Sequence, residues 1–308
     1  MSNTDSINFD GQVIIITGAG AGLGRAYAQL LAKHGAKLVV NDPGADVHGN
    51  GNDPGAADAV VAEISDAGGS AIANYDTVAT AAGGAAIVQS AIEAYGRVDG
   101  LVHNAGILRD KSFQKLSDDD INQVLDVHLK GAFYVGQPAF AAMKQQQHGR
   151  MVFTTSASGL FGNFGQANYG AAKTGLVGLM RVLSVEGASK GIRINCVAPS
   201  ARTRMTEGLL GPLQDQLDPK HVAPLVAFLC SSQCDFTNEI FSAGGGRYAR
   251  IFLGLTPGWY SGGEVASVDK IAEKMETIMD TENFIIPASG MDELAAMLAA
   301  FGISMESD

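Results

Sequence analysis

Ser156, Tyr169 and Lys173 stand thirteen and then four residues apart in this chain, a set able to move a proton. Tyr169 and Lys173, at i and i+4, share one face of a predicted helix. An unperturbed tyrosine ionises near pH 10. To act as a base near neutrality its pKa must fall by about 3 units, worth about 4 kcal/mol, and a nearby ammonium has the right sign for that. Ser156, on the loop after a predicted strand, can hydrogen-bond the same substrate oxygen and orient it. The alternative reading makes Tyr169 a core aromatic and Lys173 a solvated helix residue.

These residues need a scaffold, and the rest of the sequence supplies the pattern of one. Apolar runs near Val13–Thr17, Lys37–Asn41, Ala71–Tyr75, Val98–His103, Arg150–Thr155, Ile192–Val197 and Glu239–Ser242 read as strands. Helical patterns fall between them: Leu23–His34, Ala56–Ala67, Ala81–Tyr95, Asp118–Lys144, Asn168–Glu186 and His221–Cys230. The strands are near-continuous rather than alternating, which suggests burial on both faces. An α/β fold with a single doubly wound parallel sheet of about seven strands (a Rossmann fold) follows. Residues 1–245 form the expected dinucleotide-binding and catalytic domain. Gly-rich breaks then lead to two helical segments, Val268–Met279 and Met291–Phe301. Residues 246–308 are read as a helical C-terminal extension that packs on the main domain or on a partner subunit, because some 60 residues make a poor core alone.

The first strand runs into Thr17-Gly18-Ala-Gly20-Ala-Gly22-Leu23-Gly24, which opens the first helix. A helix N-terminus offers unpaired N–H groups and a positive dipole end to a pyrophosphate, if the backbone can come close. Gly18, Gly22, Leu23 and Gly24 are therefore the candidate cradle; a glycine-rich turn without ligand is the alternative. Asp42, at the end of the second strand, lies where a carboxylate accepts from adenosine ribose hydroxyls. It would repel a 2′-phosphate, and no Arg or Lys lies between Gly18 and Gly22 to compensate, so NAD is expected over NADP. Arg25 is read as structural or as a phosphate contact. The polar loop Pro43–Gly55 is a solvated connection or a cover for the adenine end.

Composition narrows the class. With 308 residues, 46% of them apolar, the chain can bury a large core. A formal net charge of −11 argues against a nucleic-acid surface. There is no stretch of about 18 apolar residues, so no membrane span is expected. Met1–Asp10 is polar and Met305–Asp308 matches no targeting signal, so a cytoplasmic address is expected by default. Cys196, Cys230 and Cys234 have no metal-ligand spacing and read as small core residues; no metal is expected.

Over about residues 10–245 the chain resembles the short-chain dehydrogenase/reductase family. The likeness rests on Thr17-Gly-x-x-x-Gly22-x-Gly24, Asn104-Ala-Gly106, Ser156 and Tyr169-x-x-x-Lys173. Longer strings, Val39-Val-Asn-Asp-Pro-Gly44, Ala73–Val78, Asn104–Phe113 and Gly162–Tyr169, are similar to the (3R)-hydroxyacyl-CoA dehydrogenase part of multifunctional β-oxidation enzymes, and that likeness extends into the helical tail. The resemblance implies Tyr169 as general acid/base, Lys173 tuning it and binding the nicotinamide ribose, and Ser156 polarising the substrate oxygen. It also implies Asn104 beside the cofactor, Asp76 at the adenine amino group and Thr203 at the carboxamide. Oxidation of a 3-hydroxyacyl-CoA by NAD is the implied reaction, in fatty-acid or sterol-side-chain β-oxidation, with no hydratase region following. A dehydrogenase of free alcohols or hydroxysteroids, a ketoacyl reductase and a non-catalytic dinucleotide-binding scaffold remain alternatives. Arg109/Lys111/Lys115 or Arg202/Arg204 are candidates to meet an acyl-CoA substrate, and a homodimer or homotetramer is implied. Two departures stand out. His128 occupies a position where many members have asparagine, and is read first as a core residue and second as a proton relay. Pro199-Ser200 replaces the usual Pro-Gly.

Overall fold

The computed structural model describes residues 6–205 and 211–303. Every residue of β1 (Val13–Thr17) is buried, as the Val/Ile run demands when helices cover both faces of a parallel sheet. β1 pairs in parallel with β2 (Lys37–Asn41) on one side and β4 (Gly100–His103) on the other. β3 (Ser70–Asn74) flanks β2. β5 (Gly149–Thr154), β6 (Ile192–Pro199) and β7 (Ile240–Gly244) extend the sheet beyond β4, all parallel. The strand order is β3-β2-β1-β4-β5-β6-β7-β8. The order therefore reverses between β1 and β4, and a ligand crevice opens there beyond the strand C-termini.

β8 (Arg247–Ile251) is an eighth strand, one more than the sequence pattern suggested. It is joined to β7 by Gly245 and Gly246, both at positive φ (56° and 79°), as a two-residue hairpin turn requires. So short a link can only reverse the chain, so the last strand departs from the expected all-parallel sheet.

The crossover helices are α1 (Gly22–Lys33), α2 (Gly55–Asp66) and α3 (Ala81–Tyr95). The single helix expected over Asp118–Lys144 is interrupted: α4 (Asp118–Leu125) and α5 (Gly131–Gln146) are separated by a π-helical turn, Asp126–Lys130. The extra residue of that turn sends His128 inward, where it is 1% exposed. A short α6 (Ala157–Phe161) follows β5, then the long α7 (Ala167–Gly187), and α8 (Ala223–Cys230) precedes β7.

Met1–Arg250 forms one compact unit and Ile251–Asp308 a second. Within the second, α9 (Val268–Met279) and α10 (Gly290–Ala300) are capped by Ser267 and Ser289. Leu255 and Ile285 form an antiparallel bridge, and the rings of Phe252 and Phe284 stack at 5.4 Å.

β5, the strand that delivers Ser156, is pinned at its start by buried Arg150. Its guanidinium donates to the carbonyls of Gly149 (2.9 Å), Ser231 (3.0 Å), Gly191 (3.1 Å) and Ser232 (3.3 Å). Arg150→Met removes the donors and leaves buried carbonyls unpaired, at an expected cost of about 3 kcal/mol. Urea unfolding checks this, and an unchanged midpoint would contradict it.

Candidate active site

The glycine turn lies at the reversal point. Gly18 and Gly22 take positive φ (64° and 53°), and a Cβ on Gly18 would stand 2.8 Å from the Cα of Ala105. A Cβ on Gly24 would run into the carbonyl oxygen of Gly18 and lie 2.8 Å from the Cα of Ala19. Ala21, the N-cap of α1, contributes no side-chain cap and the first turn carries no acid. The N-terminal N–H groups of α1, that of Leu23 among them, are thus left for an anion, and the backbone is bare enough for one to approach. The residues present fit a dinucleotide.

Asp42 does more than the sequence suggested. Its carboxylate accepts from the N–H of Gly20 and of Gly44, both at 2.8 Å, so it also shapes the glycine turn and the start of the following loop. Each oxygen keeps a lone pair for a ribose hydroxyl. Asn104 donates from Nδ2 to the carbonyls of Gly18 (3.1 Å) and Thr17 (3.3 Å), tying β4 to the turn. The Thr17 hydroxyl accepts from the backbone N–H groups of Asn104 and Ala105. Asp76 closes a polar cluster that sequence reasoning did not find. Asn41 Nδ2 donates to Asn74 Oδ1 (2.8 Å) and to the Asp76 carbonyl (2.8 Å), and Asn74 Nδ2 donates to Asp76 Oδ2 (2.9 Å). Only the polar residues at two strand ends could have signalled it. Thr203 sits against the turn, since a Cβ on Gly22 would meet its Cγ2 at 3.2 Å.

The three residues expected to do chemistry are brought together. Ser156 caps α6, accepting from Ser158 N–H at 3.1 Å, and lies near enough to the Tyr169 phenol to lower its pKa. Lys173 places Nζ 5.5 Å from the centre of the Tyr169 ring and donates to the Thr154 carbonyl at 2.6 Å. Thr155 in turn donates its hydroxyl to the Lys173 carbonyl at 2.7 Å, so the end of β5 and α7 are laced together. Lys173 is no solvated helix residue: it is 3% exposed, and burial pushes its pKa down to about 7.

The spacing of Lys173 from Tyr169 predicts an ammonium that lowers the phenol's pKa. Among the protein's own groups the balance goes the other way. Burial raises the phenol above its usual value, the nearby Ser156 hydroxyl lowers it, and the Asp110 carboxylate raises it. Two imidazoles stay out of the charge balance. Burial, then Lys173, pushes His103 down to about 4 and holds His128 well below its usual value, so both are neutral at pH 7.

His128 packs edge-on against Tyr169, ring centres 5.1 Å apart, with Nε2 within hydrogen-bond distance of the Ile107 N–H (3.0 Å) and carbonyl (2.8 Å). Of the basic candidates, Arg109 pairs with Asp119 at 3.2 Å and Lys111 with Asp120, so both are engaged by α4. Arg202 lies 3.7 Å from Asp215, while Lys115 and Arg204 are exposed. Cys196, Cys230 and Cys234 are buried free thiols.

Known proteins resemble this chain in sequence and fold. Residues 12–210 match the short chain dehydrogenase family. A short-chain type dehydrogenase/reductase of Mycobacterium tuberculosis is 51% identical over 243 residues, covering 79% of this chain and 85% of that one. Peroxisomal multifunctional enzyme type 2 of Drosophila melanogaster is 50% identical over 255 residues, 82% of this chain and 42% of that one. The structure of the full-length Drosophila enzyme superposes with a TM-score of 0.81 at 37% identity, over 96% of this chain and 50% of that one. The chain thus spans half or less of the multifunctional enzyme's length.

Two outcomes are expected. Gly24→Ala drives a methyl into the turn and should abolish dinucleotide binding while the fold survives; calorimetric titration checks it, and wild-type affinity would contradict it. Lys173 titrates near 7 when folded and near 10.4 when unfolded. Its burial penalty is therefore full below about pH 7 and lifts as pH rises toward the unfolded value. Lys173→Met should be more stable than wild type at pH 7, with an advantage that shrinks by pH 10. Unfolding at both pH values checks this, and a pH-independent difference would contradict it.

Proposed function

The chain belongs to the short-chain dehydrogenase family, and from that premise we propose that it oxidises the (3R)-hydroxyl of a 3-hydroxyacyl-CoA to the 3-ketoacyl-CoA with NAD. The observation that carries the reaction type is Lys173 buried beside the Tyr169 ring, its Nζ 5.5 Å from the ring centre, with Ser156 near enough to lower the phenol's pKa. The likeness to peroxisomal multifunctional enzyme type 2 supports the acyl-CoA substrate. A cytoplasmic address and assembly into a dimer or tetramer belong to the same proposal.

Gly18, Gly22, Leu23 and Gly24 would hold the pyrophosphate. Asp42 would take the adenosine ribose, Asp76 the adenine, and Asn104, Lys173 and Thr203 would lie along the nicotinamide half. Bound NAD would supply the two-electron acceptor for the hydrogen on the carbinol carbon. Tyr169 would take the hydroxyl proton on its phenolic oxygen. The Ser156 hydroxyl would hold the substrate oxygen within reach of that base and favour its developing negative charge. Lys173 favours a negative phenolate through its charged form, and in a buried setting that interaction is stronger than in water. Arg109 and Lys111 are already paired with α4 carboxylates and Arg202 faces Asp215 at 3.7 Å, so the exposed Lys115 and Arg204 are the stronger candidates for the CoA phosphates. Asp42 favours NAD because its carboxylate, fixed by two backbone N–H groups, cannot turn away from a 2′-phosphate.

The test is NADH formation with (3R)- and (3S)-hydroxyacyl-CoA, with NADP in place of NAD, and with a free hydroxysteroid. Turnover with NAD and the (3R) thioester is expected. Turnover of the steroid alone would replace the thioester with a free alcohol, and a preference for NADP would overturn the reading of Asp42. In the same assay Tyr169→Phe should lower kcat about a thousandfold with NAD binding intact; unchanged turnover would remove Tyr169 as the base.

A further inference from the structure

The residue before the catalytic tyrosine is a buried polar side chain with no obvious reason to be there. Asn168 occupies the first turn of α7, where backbone N–H groups have no intrahelical partner. The N-cap, Gln166, gives them no side-chain cap, because its amide is turned elsewhere: Nε2 donates to Asp110 (2.6 Å) and Oε1 accepts from Asn163 (3.0 Å). Asn168 fills the gap. Its Oδ1 accepts from the Tyr169 N–H at 2.8 Å, and its Nδ2 donates to the carbonyls of Arg109 (3.1 Å) and Asp120 (3.0 Å). At 4% exposure, both of its donors and its acceptor are engaged.

Those contacts run to three separate places: the catalytic residue, the loop after β4, and α4. The loop is held to the catalytic helix by two more bonds, Gln166 to Asp110 and Lys111 N–H to the Gly165 carbonyl at 2.9 Å. Asp120 is itself anchored, accepting from Ser117 and pairing with Lys111. From this geometry we infer that Asn168 is a positioning residue for Tyr169, fixing the start of α7 against the Arg109–Lys111 loop and α4 so that the phenol meets Ser156 and Lys173 in one register. It rests on the reading of Tyr169 as the proton acceptor. The requirement is chemical: only a neutral carboxamide presents an acceptor to an N–H and two donors to two carbonyls.

The experiment compares Asn168→Ala and Asn168→Asp in the full chain with wild type. Alanine removes all three bonds. Aspartate keeps the shape and the acceptor but turns a carboxylate toward two carbonyls. Both variants should lose at least tenfold in kcat, with a smaller change in KM and an NAD dissociation constant within about twofold of wild type, since the glycine turn and Asp42 do not contact Asn168. A role confined to stability would lower the unfolding midpoint and leave kcat per folded molecule unchanged. Folded variants with kcat within twofold of wild type overturn the proposal. Should neither variant fold, amide hydrogen exchange in the unaltered protein decides. Protection of the Tyr169 N–H comparable to that of Gly170, which donates to the Gln166 carbonyl, supports the tether, and exchange at an unprotected rate overturns it. That measurement needs no substrate, so a wild-type enzyme silent with hydroxyacyl-CoA would defeat the proposed function without deciding the role of Asn168.

Discussion

An ammonium group placed out of water is the constraint around which this structure is arranged. Lys173 is 3% exposed and donates to the Thr154 carbonyl at 2.6 Å. Burying a charge is costly unless its hydrogen bonds are met and a useful interaction is strengthened in return. Here the return is proximity to the Tyr169 ring. The contact exists only if the end of β5 and the face of α7 are held in a fixed register, and Thr155 donating to the Lys173 carbonyl enforces it. Arg150 at the other end of β5 keeps that strand from sliding. Neutral His128 and His103 then surround the pair without competing for protons near neutrality.

The dinucleotide end of the crevice obeys a different rule. There the backbone itself is to be the ligand, so side chains are removed or turned to support it. Gly18 and Gly24 leave space, Asn104 braces the turn from β4, and Asp42 organises it while keeping lone pairs for a ribose. One carboxylate thus shapes the cradle and, under the proposed function, would also select its cofactor. β1, β4 and β5 are parallel neighbours, so the glycine turn after β1 and the residues that follow β5 lie at the same edge of the sheet although some 150 residues separate Thr17 from Tyr169.

Much of this was legible beforehand, for identifiable reasons. Strands buried on both faces are written as Val/Ile runs, so β1, β2 and β6 were found with little displacement. β8 was not, because Arg247-Tyr-Ala-Arg-Ile251 is neither a continuous apolar run nor a strict alternation and follows three glycines that read as an interruption. The π turn around His128 was missed because one inserted residue leaves helical periodicity almost unchanged. Ser156, Tyr169 and Lys173 stand out by type and spacing, but partners that come together across the sheet do not. Neither the Asn41–Asn74–Asp76 cluster nor the links from Asn168 to Arg109 and Asp120 has any local signature. The direction of the Tyr169 shift also could not be read from spacing, since it depends on how deeply the ring is buried.

The central claim is that positive charge assembled at the site overcomes the burial that raises the Tyr169 phenol. The direct measurement is the ultraviolet titration of tyrosinate, taken as wild type minus Tyr169→Phe, in the free protein and in its NAD complex. The account predicts a Tyr169 pKa above the ordinary tyrosine value in the free protein and a clear fall when NAD binds. An ionisation that is unmoved or raised by NAD would contradict it.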